Sequence, residues 1–187
     1  MTRRPKGCPI QAIFWLGWGI SLLLTTSLLA QPRPRIDFDK LIQQFPNLPW
    51  DFEIRYVVHE GQRTNMLRLY YDERADLVRW GPEDAGSLAE VCHGAIEEKQ
   101  LRHVLEVMRN EKFNDLPNDN APLRTVADTG DATVSVRVGR TVVRKTDHRE
   151  RDNPGLAAVE KELDSVLEFV ATDPKTNCGM ESVPARP

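Results

Sequence analysis

The chain has 187 residues, of which 40% are hydrophobic and 28% are charged, and its formal net charge at pH 7 is −3. The first thirty residues hold three basic residues and no acidic one, so the rest of the chain carries 22 Lys and Arg against 28 Asp and Glu, a net charge of −6. This acidic balance argues against a general nucleic-acid-binding protein, which would be net basic.

The N-terminal segment has the order of a secretory signal peptide. Three basic residues precede an apolar run from Ile10 to Leu24, and Ala30 ends a short sequence suited to cleavage. Residues 1–30 are therefore predicted to be a signal peptide, which implies export to the periplasm or the medium. The apolar run is also about long enough to cross a bilayer. An uncleaved N-terminal membrane anchor is the alternative, and we expect membrane contact only through residues 10–30.

The remaining chain is predicted to contain one folded domain. Residues 31–50 are punctuated by prolines and are predicted to be a loosely docked spacer. Residues 51–172 have the length and patterning of a single α+β domain. Residues 173–187 follow the last periodic segment and are predicted to be a flexible tail.

Alternation of apolar and polar residues predicts three strands at the start of this domain. They cover Phe52–His59, Met66–Tyr71 and Leu77–Trp80. An apolar stripe with helical spacing then begins at Leu101, and Gln100 is placed to cap the start of this first helix.

The second half of the domain predicts a hairpin and another helix. Two alternating runs flank Gly139 and Arg140, a two-residue connection that suits a tight turn. Asn153 and Pro154 are favoured residues at the start of a helix, and a long apolar stripe follows them. The order β-β-β-α-β-β-α predicts an α+β fold with a sheet of about five mostly antiparallel strands and two helices packed on one face.

This order resembles a loose group of small exported bacterial domains of uncharacterised function. The resemblance rests on the Phe113–Pro117 segment that ends the first helix, on the hairpin around Gly139 and on Asn153-Pro154. It covers most of residues 51–172 and implies no activity.

Cysteine usage fits an exported protein. Cys8 lies in the predicted signal peptide, which leaves Cys92 and Cys178. Two cysteines in an exported domain suit one disulfide, which would tie the start of the first helix to the C-terminal tail. Two free thiols are the alternative.

The sheet face away from the helices is the candidate functional surface. Strand alternation is predicted to leave an arginine from every strand on that face. Arginine and tyrosine suit contacts with carboxylates and are enriched at protein interfaces. The alternative is a solvated face with no ligand. The predicted partner-binding residues are Arg55, Arg68, Tyr70, Arg79, Arg137 and Arg144.

These features predict a non-enzymatic binding module of the cell envelope. Its expected partner is an acidic protein surface or an anionic envelope polymer, with no nucleic acid, no cofactor and no metal. The alternative is a small hydrolase or metal-dependent enzyme that uses His93, His103 and the aspartates between residues 115 and 131. Known motifs for catalytic nucleophiles, phosphate loops and zinc sites are not found. A tethered spacer without a specific ligand is a third interpretation.

Overall fold

The structure is a computed structural model that describes residues 34–81, 88–117, 130–148 and 153–184. The predicted signal peptide therefore lies outside the described residues. Among those described, no helix is long and apolar enough to cross a membrane. The helices are α1 (Phe38–Gln44), α2 (Glu98–Asn110) and α3 (Pro154–Thr172), and a 3-10 turn spans Phe113–Asp115. The strands are β1 (Glu53–Glu60), β2 (Arg63–Tyr70), β3 (Arg74–Trp80), β4 (Leu88–Ala95), β5 (Asp131–Val138), β6 (Thr141–His148) and β7 (Asn177–Ser182).

All strands belong to one sheet in the order β6-β5-β1-β2-β3-β4-β7. Every pairing in it is antiparallel. The predicted α+β fold and mostly antiparallel sheet are confirmed. The predicted strand count is wrong, because the described sheet has seven strands rather than about five, and three helices are described rather than two.

The two additional strands lie where the sequence pattern is uninformative. β4 is apolar on both faces, since Val91 and Cys92 are adjacent and both buried. β7 lies in the segment that was expected to be a flexible tail, and all six of its residues are exposed. A strand that buries no side chain has no alternation of polarity to reveal it.

Local sequence signals define where the two long helices begin and which side of each is buried. The Glu97 backbone N–H donates to Gln100 Oε1 at 2.8 Å, and α2 buries the stripe that starts at Leu101. The Leu156 backbone N–H donates to Asn153 Oδ1 at 3.2 Å, which caps α3 just before Pro154. Both helices pack on the same sheet face and cover its apolar residues.

The predicted spacer contributes to this core. Phe38 and Leu41 on α1 are buried, and the Phe38 ring meets the Phe113 ring edge-on with centroids 6.1 Å apart. Leu48 is also buried, as expected for docking of this segment, whereas Trp50 is 80% exposed.

The disulfide between Cys92 and Cys178 is present, but it does not join the start of a helix to a tail. The two residues are direct partners on β4 and β7. The disulfide therefore fastens an edge strand to the sheet.

Candidate binding surface on the second face of the sheet

The face of the sheet opposite the helices, here called the second face, carries a line of basic side chains. Arg144 on β6 pairs with Ser135 on β5, Ser135 pairs with Arg55 on β1, and Arg55 pairs with Arg68 on β2. Paired residues of antiparallel strands project from the same face. We call Arg55, Arg68 and Arg144 the arginine row.

Arg55 and Arg68 are direct cross-strand partners with like charge. Such a pair is destabilising unless other groups offset the repulsion. Glu53 forms the ion pairs closest to this row, with Oε2 2.6 Å from Arg137 Nη2 and Oε1 3.9 Å from Arg68 Nε. One carboxylate is thus shared by two arginines, and no described acidic residue forms an ion pair with Arg55 or Arg144.

The environment of Arg55 disfavours its charge. Burial, followed by the neighbouring charge of Arg68, lowers the pKa of Arg55. Arg144 acts in the same direction and Glu53 opposes it. In addition, the Nε atoms of Arg55 and Arg68 each have less than 1 Å² of accessible surface and no hydrogen-bond acceptor among the described residues. Two guanidinium N–H donors are therefore shielded from water without a hydrogen bond among the described residues, which is costly even though Arg68 lies within ion-pair distance of Glu53.

The same cross-strand line continues to an acidic residue on β3 and a histidine on β4. Asp76 on β3 is the partner of Arg68, and His93 on β4 is the partner of Asp76. Tyr70 Oη donates to Asp76 Oδ2 at 2.9 Å, and His93 Nδ1 lies 2.7 Å from Asp76 Oδ1. His93 Nε2 lies 3.1 Å from Glu181 Oε1 on β7.

These contacts shift the titration of two side chains. The hydrogen bond to Asp76 raises the pKa of His93, with a smaller contribution from Glu181 in the same direction. Burial, then the hydrogen bond to Asp76, raises the pKa of the Tyr70 hydroxyl, while Arg68 lowers it. The Asp76 carboxylate is thus already engaged by two neighbours and is less available to neutralise Arg68.

Beside the arginine row, the second face carries an apolar cluster. Val57, Met66 and Val78 are paired across β1, β2 and β3, and each is at most 5% exposed. Trp80, Ala89 and Val91 complete this cluster, and Val183 packs against it. The second face is therefore not uniformly solvated, and the arginine side chains lie next to buried apolar surface.

The structure brings together five of the six predicted binding residues. Arg55, Arg68, Tyr70, Arg137 and Arg144 all project from the second face. The predicted hairpin register, with Ser135 opposite Arg144, is the one observed.

Arg79 is the exception, and its predicted position is corrected. It pairs with Asn65 and Glu90 on the helix-covered face, and its Nη1 lies 3.2 Å from Glu90 Oε2. Leu77, also expected on the second face, is fully buried in the main core. Apolar residues occur on both faces of β3, so alternation alone could not decide which of its residues face the helices.

The two histidines of the alternative enzyme hypothesis do not converge. His93 lies on the second face, whereas His103 lies on α2 with its Nε2 3.6 Å from Glu162 on α3. The aspartates at positions 119 and 128 fall outside the described residues.

A metal site is not supported by the described side chains either. Within the described ranges, Glu90, Cys92 and Cys178 are the one group of three candidate ligands that lie close together. The two cysteines are joined in the disulfide, so they offer no thiolate to a metal.

Sequence reasoning does not identify Asp76, which directly precedes the predicted third strand, or Glu181, which lies in the predicted tail. Neither has a local signal, because each acquires its role only when β3, β4 and β7 are aligned. Comparison with models of known protein families finds no match to this chain, and comparison with curated protein sequences finds none either.

Proposed function

We propose that this protein is a non-enzymatic binding domain that docks an acidic protein surface on its second face. The partner would contact Arg55, Arg68, Arg137 and Arg144, with Tyr70 at one end of the patch. The observation that carries the proposal is the direct opposition of Arg55 and Arg68, whose Nε donors have no acceptor among the described residues. An incoming carboxylate would offset the repulsion between the two guanidinium groups, which Glu53 offsets only in part.

A protein partner is favoured over a uniformly charged polymer by the composition of the surroundings. Arginine, tyrosine and tryptophan are the residues most enriched where proteins bind each other. Exposed apolar groups lie at the same end of the sheet as Arg137. Its direct partner Val142 is 47% exposed, and Trp50, just before β1, is 80% exposed.

We further propose that the protein works outside the cytoplasm. The disulfide between Cys92 and Cys178 supports this proposal, because such bonds persist in oxidising compartments. The basic and apolar order of residues 1–30 supports it independently.

The binding proposal is tested with poly-L-glutamate as a probe for an acidic polypeptide. The disulfide-bonded protein is titrated against the immobilised probe at low and high salt. One variant carries Arg55→Gln, Arg68→Gln and Arg144→Gln. The matched control carries Arg79→Gln, Arg102→Gln and Arg109→Gln, which remove the same charge on the helix side of the sheet.

The row variant should bind roughly tenfold or more weakly than the wild type, since three charged contacts of about 0.5–1 kcal/mol each are lost. The control should stay within about twofold of the wild type, because its arginines lie away from the probe. Equal losses in both variants would show that net charge, not the second face, attracts the probe. An unchanged row variant would refute the proposal.

A further inference from the structure

Arg55 and Arg68 form an unusual pair within the second face. Their Cα atoms are direct partners on β1 and β2, so their side chains leave the sheet side by side. Both Nε atoms are closed to solvent and lack an acceptor among the described residues. A desolvated donor without a hydrogen bond is costly. The pair therefore carries two such costs in addition to its mutual repulsion.

The nearest acidic groups relieve this pair only in part, because other side chains also engage them. Glu53 is engaged by Arg137 at 2.6 Å and approaches Arg68 Nε only to 3.9 Å. Asp76, the partner of Arg68 on the other side, accepts from Tyr70 and contacts His93. Each carboxylate is thus shared with or held by other side chains.

We infer that Arg55 and Arg68 together form a binding site for one oxyanion group, which is a carboxylate, a phosphate or a sulfate. These groups share planar or tetrahedral oxygens that accept several hydrogen bonds at once, and the guanidinium fork matches them. The Arg68 side chain is 29% exposed, so an incoming anion reaches it from the solvent side. This inference rests on the proposed function, in which the group is a side-chain carboxylate of the partner.

The neighbouring residues set the direction from which the ligand extends. Asp76 places a negative charge beyond Arg68, which disfavours a second anionic group on that side. In the other direction Ser135 separates Arg55 from Arg144, which is exposed and forms no ion pair with a described acidic residue, so a second anionic group two strands away meets a cation. A ligand with two anionic groups should therefore lie across β1, β5 and β6 rather than across β3 and β4.

The test follows the Nε–H signals of arginine side chains by nitrogen–proton NMR while inorganic sulfate, inorganic phosphate or acetate is added. The signals of Arg55 and Arg68 should shift together and saturate. Arg79, which pairs with Glu90 on the other face, is the internal control and should not follow them. Saturation by acetate identifies a carboxylate site, and saturation by phosphate or sulfate alone identifies a tetrahedral oxyanion site.

A charge-preserving variant separates a specific site from general attraction. Arg55→Lys keeps the positive charge but loses the fork, so binding of the small anion should weaken about tenfold. Arg102→Lys on α2 is the matched control and should bind as the wild type does. If Arg55→Lys fails to fold, as its spectrum would show, Arg68→Lys replaces it.

The outcomes distinguish this inference from the proposed function. Non-saturating shifts, or shifts of equal size at Arg79, overturn the oxyanion site. Unchanged anion binding by the lysine variant also overturns it, while capture of poly-L-glutamate could still depend on the row. Saturable anion binding without capture of poly-L-glutamate supports the oxyanion site and refutes the acidic protein partner.

Discussion

Removal of the disulfide should lower the free energy of unfolding by up to about 4–5 kcal/mol. The bond joins residues separated by 86 positions in the sequence. The chain-entropy relation for a loop of this length gives roughly 15 cal/mol/K, which is about 4.6 kcal/mol near room temperature. This value is an upper bound, because residual structure in the unfolded chain reduces the entropy that the bond removes.

Equilibrium unfolding in urea measures this difference between the oxidised wild type and a Cys92→Ala/Cys178→Ser variant. Cys92 is fully buried, so its replacement adds a small packing loss. The reduced wild type, which keeps both sulfur atoms, controls for that loss. A decrease below about 1 kcal/mol for the reduced wild type would contradict the entropic argument.

Hydrogen exchange should show which strands lose protection when the disulfide is removed. β7 buries none of its side chains. Without the covalent bond it is retained by backbone hydrogen bonds to β4, by the contact between His93 and Glu181 and by the packing of Val183 just after it. Its amides should lose protection before those of β1 and β2. Early loss of protection in the central strands, with β7 still protected, would refute this account of what the disulfide holds.

Three further substitutions test contacts elsewhere in the fold. The raised pKa of His93 implies stabilisation that is complete below a pH of about 6.5 and is lost as the pH rises through the higher folded-state pKa. The difference in melting temperature between the wild type and His93→Gln should decrease as the pH rises across that range. The decrease should correspond to less than about 1 kcal/mol, because the His93 ring is half exposed. A difference that does not depend on pH would contradict this prediction. Lys145→Met removes two hydrogen bonds that the buried ammonium donates to backbone carbonyls after α2, at 3.1 and 2.5 Å. It should lower the free energy of unfolding in urea by about 2–4 kcal/mol. A decrease no greater than that of the exposed control Lys161→Met would show that these bonds are not stabilising. Tyr56→Phe removes the 2.8 Å hydrogen bond to Asp164 and should lower the free energy of unfolding by about 1 kcal/mol in the same assay. An unchanged urea midpoint would show that this bond does not contribute to stability.

The chemistry of the second face was only partly accessible from the sequence. Strand alternation assigned Arg55, Arg68 and Arg144 to one face, and the two-residue turn of the β5–β6 hairpin placed Arg144 opposite Ser135. It could not reveal that Asp76 is held by Tyr70 and His93, since those contacts join three strands. It also missed the buried apolar cluster beside the row, because isolated apolar residues on a polar face are common.

Sequence by itself determined the elements whose signals are local. The stripe and caps of α2 and α3 specify where each helix begins and which side it buries. The turn at Gly139, with its backbone φ of 60°, specifies the register of the β5–β6 hairpin. In these elements the interacting groups lie within a few residues of one another, so periodicity and turn chemistry are sufficient.

Only the tertiary structure decided the parity of β3, the addition of β4 and β7 to the sheet and the pairing of Cys92 with Cys178. Adjacent apolar residues at Leu77 and Val78 satisfy either orientation of β3, and pairing with β2 selects the one that buries Leu77 against the helices. β7 has no buried face, so it is a strand only because the β4 edge and the disulfide hold it. Contacts between residues far apart in the chain carry this information, and local alternation of polarity cannot encode it.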